Sequence, residues 1–265
     1  MNTHNHTAHF PYVGMLEDFI GISLFIMAIA VYLLCVVISN RRYKPWPIYR
    51  VILWIFGVLA AAVALVGPLA NQAHHDFTAH MGVHLLLGML APLLMALAAP
   101  MTLLLRTFNV AVARRLSKIL RSSMVRFLTD PFVASVLNVG GLWVLYTTSL
   151  YKEMHENVLL HLFIHLHIFL AGYVFTLSVI YIDLTSHRNG FLYRAVVLIL
   201  ATAAHSILAK YIYAHPPIGV IPTQAEEGAM LMYYGGDAVT LIIIYVLCHQ
   251  WYRGTRPRFS ISTTR

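Results

Sequence analysis

Apolar and polar positions alternate along the chain in long blocks. Seven apolar runs, each at least about 19 residues long and largely free of Lys and Arg, are separated by short polar segments. A helix of about 20 apolar residues crosses a bilayer while satisfying its own backbone hydrogen bonds. The pattern predicts an all-α, polytopic transmembrane bundle of about seven helices in a single domain, residues 1–265. The expected spans lie near 19–39, 50–70, 79–105, 132–150, 157–182, 191–213 and 228–250.

The third run is interrupted by proline. Pro92 and Pro100 both fall inside it, and proline removes a helical hydrogen bond and clashes with the preceding turn. We expect either a kink there or a helix end near Ala98. The following segment, residues 106–126, is basic and amphipathic, which is typical of a helix that lies along the membrane surface.

Composition agrees with a membrane protein. Hydrophobic residues make up 59% of the chain and charged residues 11%, whereas soluble domains carry about 25% charged residues. The first ten residues lack the basic region of a secretory signal peptide, so none is expected. Cys35 and Cys248 form no CxxC pair and indicate no disulfide framework.

The basic residues indicate the orientation. Sixteen of the 18 Lys and Arg fall in the loops after the first, third and fifth predicted spans and in the C-terminal tail, while most acidic residues fall on the opposite side. Cytoplasmic loops of membrane proteins carry the excess of Lys and Arg. We therefore expect the N-terminus outside, the C-terminus in the cytoplasm, and membrane lipids as the neighbours of these cations. The net charge of +8 is then explained by the excess of Lys and Arg in the cytoplasmic loops, and no nucleic-acid partner is expected.

The histidines gather on the opposite side from these cations. Thirteen of the 15 fall in outer loops or in the outer halves of spans, and only His187 and His249 lie towards the cytoplasm. An imidazole in the hydrocarbon region costs free energy unless it is paired or bound to a ligand. This distribution predicts a polar site towards the extracytoplasmic side.

Two histidine pairs have helical spacing. His80 and His84 are four residues apart in the third span, as are His161 and His165 in the fifth, so each pair projects from one helix face. His205 lies in the outer half of the sixth span. Three helices could thus enclose a transition metal with these five imidazoles, whereas His167 lies about 200° around its helix from His165. Hydrogen-bonded packing of the same histidines remains an alternative.

Nearby methionines bear on the identity of the metal. Imidazole suits copper, zinc, iron and nickel, and soft thioethers favour Cu(I) over Cu(II), with zinc as the alternative. The methionines close to the predicted site are Met81, Met154, Met230 and Met232. The roles of several further residues stay open at this point, namely His4, His6, His9, His74, His75 and Asp237.

Three sequence blocks carry a family resemblance. The first reads His80-Met-Gly-Val-His84, followed by an Ala-Pro pair at Pro92 and another at Pro100. The second has the His161/His165 pair followed by Phe-Leu-Ala-Gly at residues 169–172, and the third is Ala-His-Ser at residues 204–206. In order and spacing these blocks resemble the CtaG-like family of cytochrome c oxidase assembly factors, named for the caa-type oxidase of bacilli.

The resemblance implies a function and a set of residues. A CtaG-like protein is a non-enzymatic membrane protein needed to mature a haem–copper oxidase, by helping copper reach the oxidase subunit from an extracytoplasmic donor. The implied location is the bacterial cytoplasmic (inner) membrane. The implied ligands are His80, His84, His161, His165 and His205. The family usually has an Asp-Gln pair near the start of the last span, and this chain has the acidic pair Glu226 and Glu227 in its place.

Two other functions fit the histidines. An intramembrane zinc-dependent hydrolase would hold zinc with three histidines, with Ser149, Asp76 or Ser206 available for chemistry. A b-type haem protein could use His84 and His165 as axial ligands from different helices. A retinal protein is not expected, because the seventh run contains no lysine.

Overall fold

The computed structural model describes residues 11–183 and 188–256, with side chains from residue 19 onwards. Every regular element in these ranges is helical, so the predicted all-α fold is confirmed. The expectations for His4, His6, His9 and His187 lie outside the described residues.

Six helices are long and apolar enough to cross a membrane, and a bent pair makes a seventh if it is counted as one span. The six are Phe19–Arg42, Ile48–Leu65, Phe77–Leu97, Val158–Val179, Phe191–Ala214 and Pro222–Thr255. The bent pair is Pro131–Thr147 with Leu150–Glu156. The number of spans agrees with the sequence pattern, and the predicted orientation of the termini stays a prediction.

The first two helices meet at the end of the bundle that carries Arg42, Arg50 and Arg106, here called the basic end. Helix α1 covers Pro11–Arg42 and α2 covers Ile48–Leu65. The indole Nε1 of Trp46, in the loop between them, donates to the Tyr32 hydroxyl, which in turn donates to the carbonyl oxygen of Ala98. These bonds fix the loop against the end of the third span.

The third span is divided where the sequence predicts a kink. It consists of α4 (Phe77–His84), a π-helical segment π1 (Leu85–Leu90) and α5 (Ala91–Leu97), preceded by a short helix α3 (Pro68–Ala73). Pro92 cannot donate to the carbonyl of Gly88 one turn earlier, and a π-helical turn accommodates such a lost bond. The span ends at Leu97, so the predicted end near Ala98 is also found.

A left-handed residue redirects the chain after this end. Ala99 has φ 54°, a conformation that costs free energy for a residue with a Cβ, and Pro100 begins α6 (Pro100–Thr107). The carboxylate of Asp183 accepts hydrogen bonds from the backbone N–H groups of Met101 and Thr102, both at 2.7 Å, and from the Thr102 hydroxyl. Asp183 thus caps α6 and holds the turn, as its place at the end of a span suggests.

Two helices lie beside this turn at the basic end. They are α7 (Val110–Leu120), capped by Asn109, and α8 (Ser123–Leu128), capped by Ser122. Helix α7 is amphipathic, with Arg114, Arg115 and Lys118 exposed. Its amphipathic, basic character agrees with the expected surface helix.

The fourth span is short and broken. It runs through α9 (Pro131–Ser135), a second π-helical segment π2 (Val136–Gly140) and α10 (Gly141–Thr147), then bends by 81° into α11 (Leu150–Glu156). Asp130 caps α9 and accepts from the Tyr193 hydroxyl at the basic end, while Tyr146 contacts His80 at the other end. Residues 131–147 therefore run the length of the bundle.

The last three spans are continuous helices, α12 (Val158–Val179), α13 (Phe191–Ala214) and α14 (Pro222–Thr255). Helix α12 packs closely on the third span, because a Cβ at Gly172 would lie on the carbonyl oxygen of Gly88. Small residues at such a crossing let membrane helices approach one another.

The apolar core nearest the histidines is built from Phe77, Met81, Tyr146, Tyr151, Met154 and Met232, among others.

Candidate metal centre

The five predicted ligands lie at one end of the bundle, opposite the basic end. His80 and His84 come from α4, His161 and His165 from α12, and His205 from α13. Four of them are buried, and His161 is partly exposed. We call this the histidine end of the protein.

His84 and His205 form a buried pair across two spans. Their ring centroids are 6.1 Å apart and the planes are 24° from parallel. Among the residues that the structure describes, neither ring nitrogen of His84 has a hydrogen-bond partner, and the Nε2 atom of His205 has none. Two imidazoles bonded to one ion at about 2.0 Å have centroids roughly 4.5–6.3 Å apart, so this pair has the separation of ligands on nearly opposite sides of an ion.

Glycines on neighbouring helices make room for both rings. A Cβ at Gly236 of α14 would lie 2.5 Å from Cε1 of His205 and 3.1 Å from its Nδ1. A Cβ at Gly88 would lie 3.3 Å from Cε1 and Nδ1 of His84. The third, sixth and seventh spans are therefore fitted around this pair.

A second set of rings continues from this pair towards the surface. The centroids of His161 and His165 are 4.2 Å apart, and those of His80 and His165 are 6.1 Å apart. His165 Nδ1 donates to the carbonyl oxygen of His161 at 2.9 Å. Since a carbonyl only accepts, the hydrogen of a neutral His165 is on Nδ1 and the lone pair of Nε2 is available to a ligand.

Tyr146 lies between the two sets. Its hydroxyl is 3.1 Å from Nε2 of His80, and its ring centroid is 6.1 Å from that of His80 and 6.5 Å from that of His84. Tyr151 of α11 also contacts His80, with centroids 5.1 Å apart. Neither tyrosine is singled out by sequence reasoning, because Tyr146 lies in an apolar run, where it is expected to be ordinary core, and Tyr151 lies in the polar loop that follows.

Two further histidines join the set at the surface. The ring centroid of His74, at the end of α3, is 5.0 Å from that of His161, and His155 of α11 is 6.2 Å from His80. Partial burial and the neighbouring His155 lower the pKa of His74 below its ordinary value, so His74 is neutral at pH 7. Sequence reasoning places both residues in outer loops, where it leaves the role of His74 open and does not connect His155 to the site.

The remaining candidates divide between the core and the surface. Met81, Met154 and Met232 are buried in the apolar cluster that surrounds Tyr146, whereas Met230 is exposed. His167 faces away from the site, as its angular position predicts, with Nε2 3.2 Å from the carbonyl oxygen of Leu137.

The charged residues of the last two spans have different surroundings. Glu226 and Glu227 are exposed on α14. Lys210 extends over the ring of Tyr233, 5.3 Å from its centroid. Asp237 directly follows Gly236, close enough to His205 to interact with it electrostatically.

Within residues 11–183 and 188–256, no three His, Cys, Asp or Glu side chains stand ready to hold one ion together. An ion would have to draw the rings inward, or use two imidazoles. The five histidines as metal ligands therefore stay a prediction, and so does the identity of the metal.

The family described as cytochrome c oxidase caa3 assembly factor matches residues 30–254. An uncharacterized protein of Mycobacterium leprae is 26% identical over 91% of this chain and 40% of its own length. Uncharacterized proteins of Mycobacterium bovis and Mycobacterium tuberculosis are each 31% identical over 54% of this chain and 23% of their own length.

The chain thus spans two fifths or less of the curated relatives that it matches. No solved structure matches it significantly. The family match, in contrast, covers nearly all of the described helices, including every histidine of the third, fifth and sixth spans. The chain belongs to the cytochrome c oxidase caa3 assembly factor family.

Proposed function

We propose that this membrane protein binds copper and delivers it to a haem–copper oxidase subunit in the bacterial cytoplasmic membrane. The observation that carries the proposal is the pair His84 and His205: in the described part of the chain, both buried ring nitrogens of His84 and the buried Nε2 of His205 lack hydrogen-bond partners. A buried polar atom without a hydrogen bond costs about 1–3 kcal/mol. A bound ion would replace the missing bonds.

Cu(I) is the cargo that fits this pair best. Cu(I) tolerates two ligands in a nearly linear arrangement, and the 6.1 Å separation of the rings suits that arrangement. The thioethers of the adjacent apolar cluster are soft donors, which favour Cu(I) over harder ions. Zn(II) generally takes four ligands, and no such group stands ready among the described residues.

Delivery would proceed by ligand exchange without a change of oxidation state. An extracytoplasmic donor would release copper at the histidine end, and each bond from copper to an imidazole would form as a bond to the donor breaks. The acceptor subunit would take copper in the same way, within the membrane. A site of only two imidazoles would hold copper weakly enough for such exchange.

Two observations weigh against the competing functions. Ser149 donates to Glu153, and Asp76 caps α4 through the Thr78 N–H, so neither is directed at a histidine as a hydrolase would require. The cavity lined by His80, His161 and His165 has a volume of about 50 Å³. That volume suits an ion or one water molecule and is far too small for a haem.

Copper content and oxidase maturation test the proposal together. The detergent-purified protein, loaded with Cu(I) or Zn(II) and desalted, is expected to retain copper in preference to zinc. A strain that lacks the protein is expected to make oxidase deficient in copper, and restoring the gene should restore the metal. No bound copper, together with fully metallated oxidase in the deletion strain, would contradict the proposal.

A substitution at Gly236 tests whether the position of His205 matters. Gly236→Ala is expected to weaken Cu(I) binding by about 10–100-fold, because the added methyl group displaces the His205 ring. Gly235→Ala is the matched control, since its Cβ meets only the flexible end of Leu85, at 2.5 Å. Competition with a chromophoric Cu(I) chelator measures both affinities. Equal affinities in the two variants would contradict the role of the pair.

A further inference from the structure

Two cavities at the histidine end meet at a single residue. A surface cavity of about 240 Å³ is lined by His74, His155 and Tyr151, among others. The small cavity of about 50 Å³ is lined by His74, His80, His161 and His165. Since His74 lines both, it stands where an ion from the surrounding water would pass towards the interior.

Three rings from three separate elements surround this position. The ring centroids of His74 and His161 are 5.0 Å apart, those of His74 and His155 are 6.3 Å apart, and those of His155 and His161 are 6.5 Å apart. Rings that share an ion have centroids roughly 4.5–6.3 Å apart. The two separations that involve His155 are at or just beyond the upper end of this range, so the rings, and His155 above all, would have to move before one ion could bond to all three.

Hydrogen bonding prepares His155 for that role. Its Nδ1 donates to the carbonyl oxygen of Tyr151 at 2.8 Å, so the lone pair of Nε2 in the neutral ring is left for a ligand. His74 and His155 are exposed and His161 is partly exposed. A hydrated ion can therefore reach them, in contrast to the buried His84 and His205.

We infer that His74, His155 and His161 form an uptake site for a transition-metal ion, filled before the buried pair. The ion that fits this site is a borderline or soft cation such as Cu(I), which the imidazole nitrogens would bind. The destination of the ion rests on the proposed function, whereas the uptake site itself does not. Because the rings must move to bind, the site holds its ion weakly, which suits transfer.

The transfer inward is a series of ligand exchanges. His161 and His165 have stacked rings with centroids 4.2 Å apart, so an ion on the first can bond to the second as a bond to His74 breaks. His80 is the next ring, 6.1 Å from His165. Each step replaces one bond from copper to an imidazole by another at a constant oxidation state, so no electrons need to be supplied.

Rates of copper uptake test this inference on the full-length protein in detergent. Cu(I) is presented as its complex with a chromophoric chelator, and its loss from the chelator is followed by stopped flow. In the double variant His74→Ala/His155→Ala, filling of the buried pair is expected to be at least about tenfold slower, with the final copper content of that pair unchanged. His215→Ala, which removes an exposed histidine stacked on Tyr211, is the matched control and is expected to fill at the wild-type rate.

A second variant separates this inference from the proposed function. In His84→Leu/His205→Leu the buried pair is absent, and weak Cu(I) binding is expected to persist until His74→Ala is added. Wild-type uptake rates in the His74/His155 double variant would overturn the uptake site and leave the buried pair standing. Weak binding that depends on His74, in a protein whose buried pair never takes copper, would support the uptake site and contradict the proposed function.

Discussion

Replacing His84 by leucine is expected to stabilise the metal-free protein and to abolish its stabilisation by Cu(I). The His84 ring is buried, and neither of its nitrogens has a hydrogen-bond partner within residues 11–183 and 188–256, so an apolar side chain of similar size removes a cost of about 1–3 kcal/mol. Copper that binds only the folded state stabilises the wild type by about 2.7 kcal/mol at one hundred times its Kd. The variant lacks half of the pair and should not respond at Cu(I) concentrations too low to fill the weaker site at His74, His155 and His161. Thermal unfolding in detergent, with and without Cu(I), measures both effects.

His167→Leu is the matched control for this experiment. His167 lies in the fifth span, but its Nε2 donates a hydrogen bond to the carbonyl oxygen of Leu137, and its ring faces away from His84 and His205. Its replacement should lower the Tm of the metal-free protein, since a hydrogen bond is lost, while the response to Cu(I) is kept. If both variants lose stability and both keep the response to copper, His84 is a packing residue.

Much of the architecture is predictable because the membrane leaves few choices. An apolar run of spanning length must be helical, and helical spacing then places His80 beside His84 and His161 beside His165. Helix-breaking prolines likewise predict the division of the third span at Pro92 and its end before Pro100. These features depend on local geometry and on the bilayer alone, so one sequence suffices to find them.

The surface part of the candidate site is set by tertiary packing, which local patterns do not encode. His74 lies at the end of the short helix α3, and His155 lies in α11 after an 81° bend. Nothing in the spacing of these two histidines shows that their elements converge on His161. The missing hydrogen bonds of His84 are equally invisible in the sequence, because they depend on what the neighbouring helices place around the ring.

The two π-helical segments show a similar limit. The segment Leu85–Leu90 follows from Pro92, whereas Val136–Gly140 has no proline within the next turn. The two glycines at residues 140–141 indicate only that another part of the protein approaches closely, and the structure shows that this is the ring of His167, next to Gly141. The π-helical segment Val136–Gly140 could not be predicted without knowledge of that neighbour.

Among substitutions of glycine by alanine in the bundle, Gly172→Ala is expected to lower the free energy of unfolding the most. At Gly172 the fifth span crosses the π-helical segment of the third, and a Cβ there would lie on the carbonyl oxygen of Gly88 and 3.3 Å from Cγ of Pro92. Both obstacles are rigid, since one is backbone and the other is a ring. Overpacking typically costs 1–3 kcal/mol, and we expect about 3 kcal/mol or more because neither neighbour can rotate away.

Gly82→Ala provides the control, because a Cβ at this position meets only Leu69, at 3.9 Å. Alanine is favoured over glycine inside a helix by up to about 1 kcal/mol, so this variant should be as stable as the wild type or more so. Thermal unfolding of both variants in detergent compares the two sites directly. A Gly172→Ala protein as stable as Gly82→Ala would mean that the third and fifth spans are not in backbone contact. Because His84 and His165 lie one to two turns from this crossing, a large loss would also tie the geometry of the histidines to the contact between the two glycines.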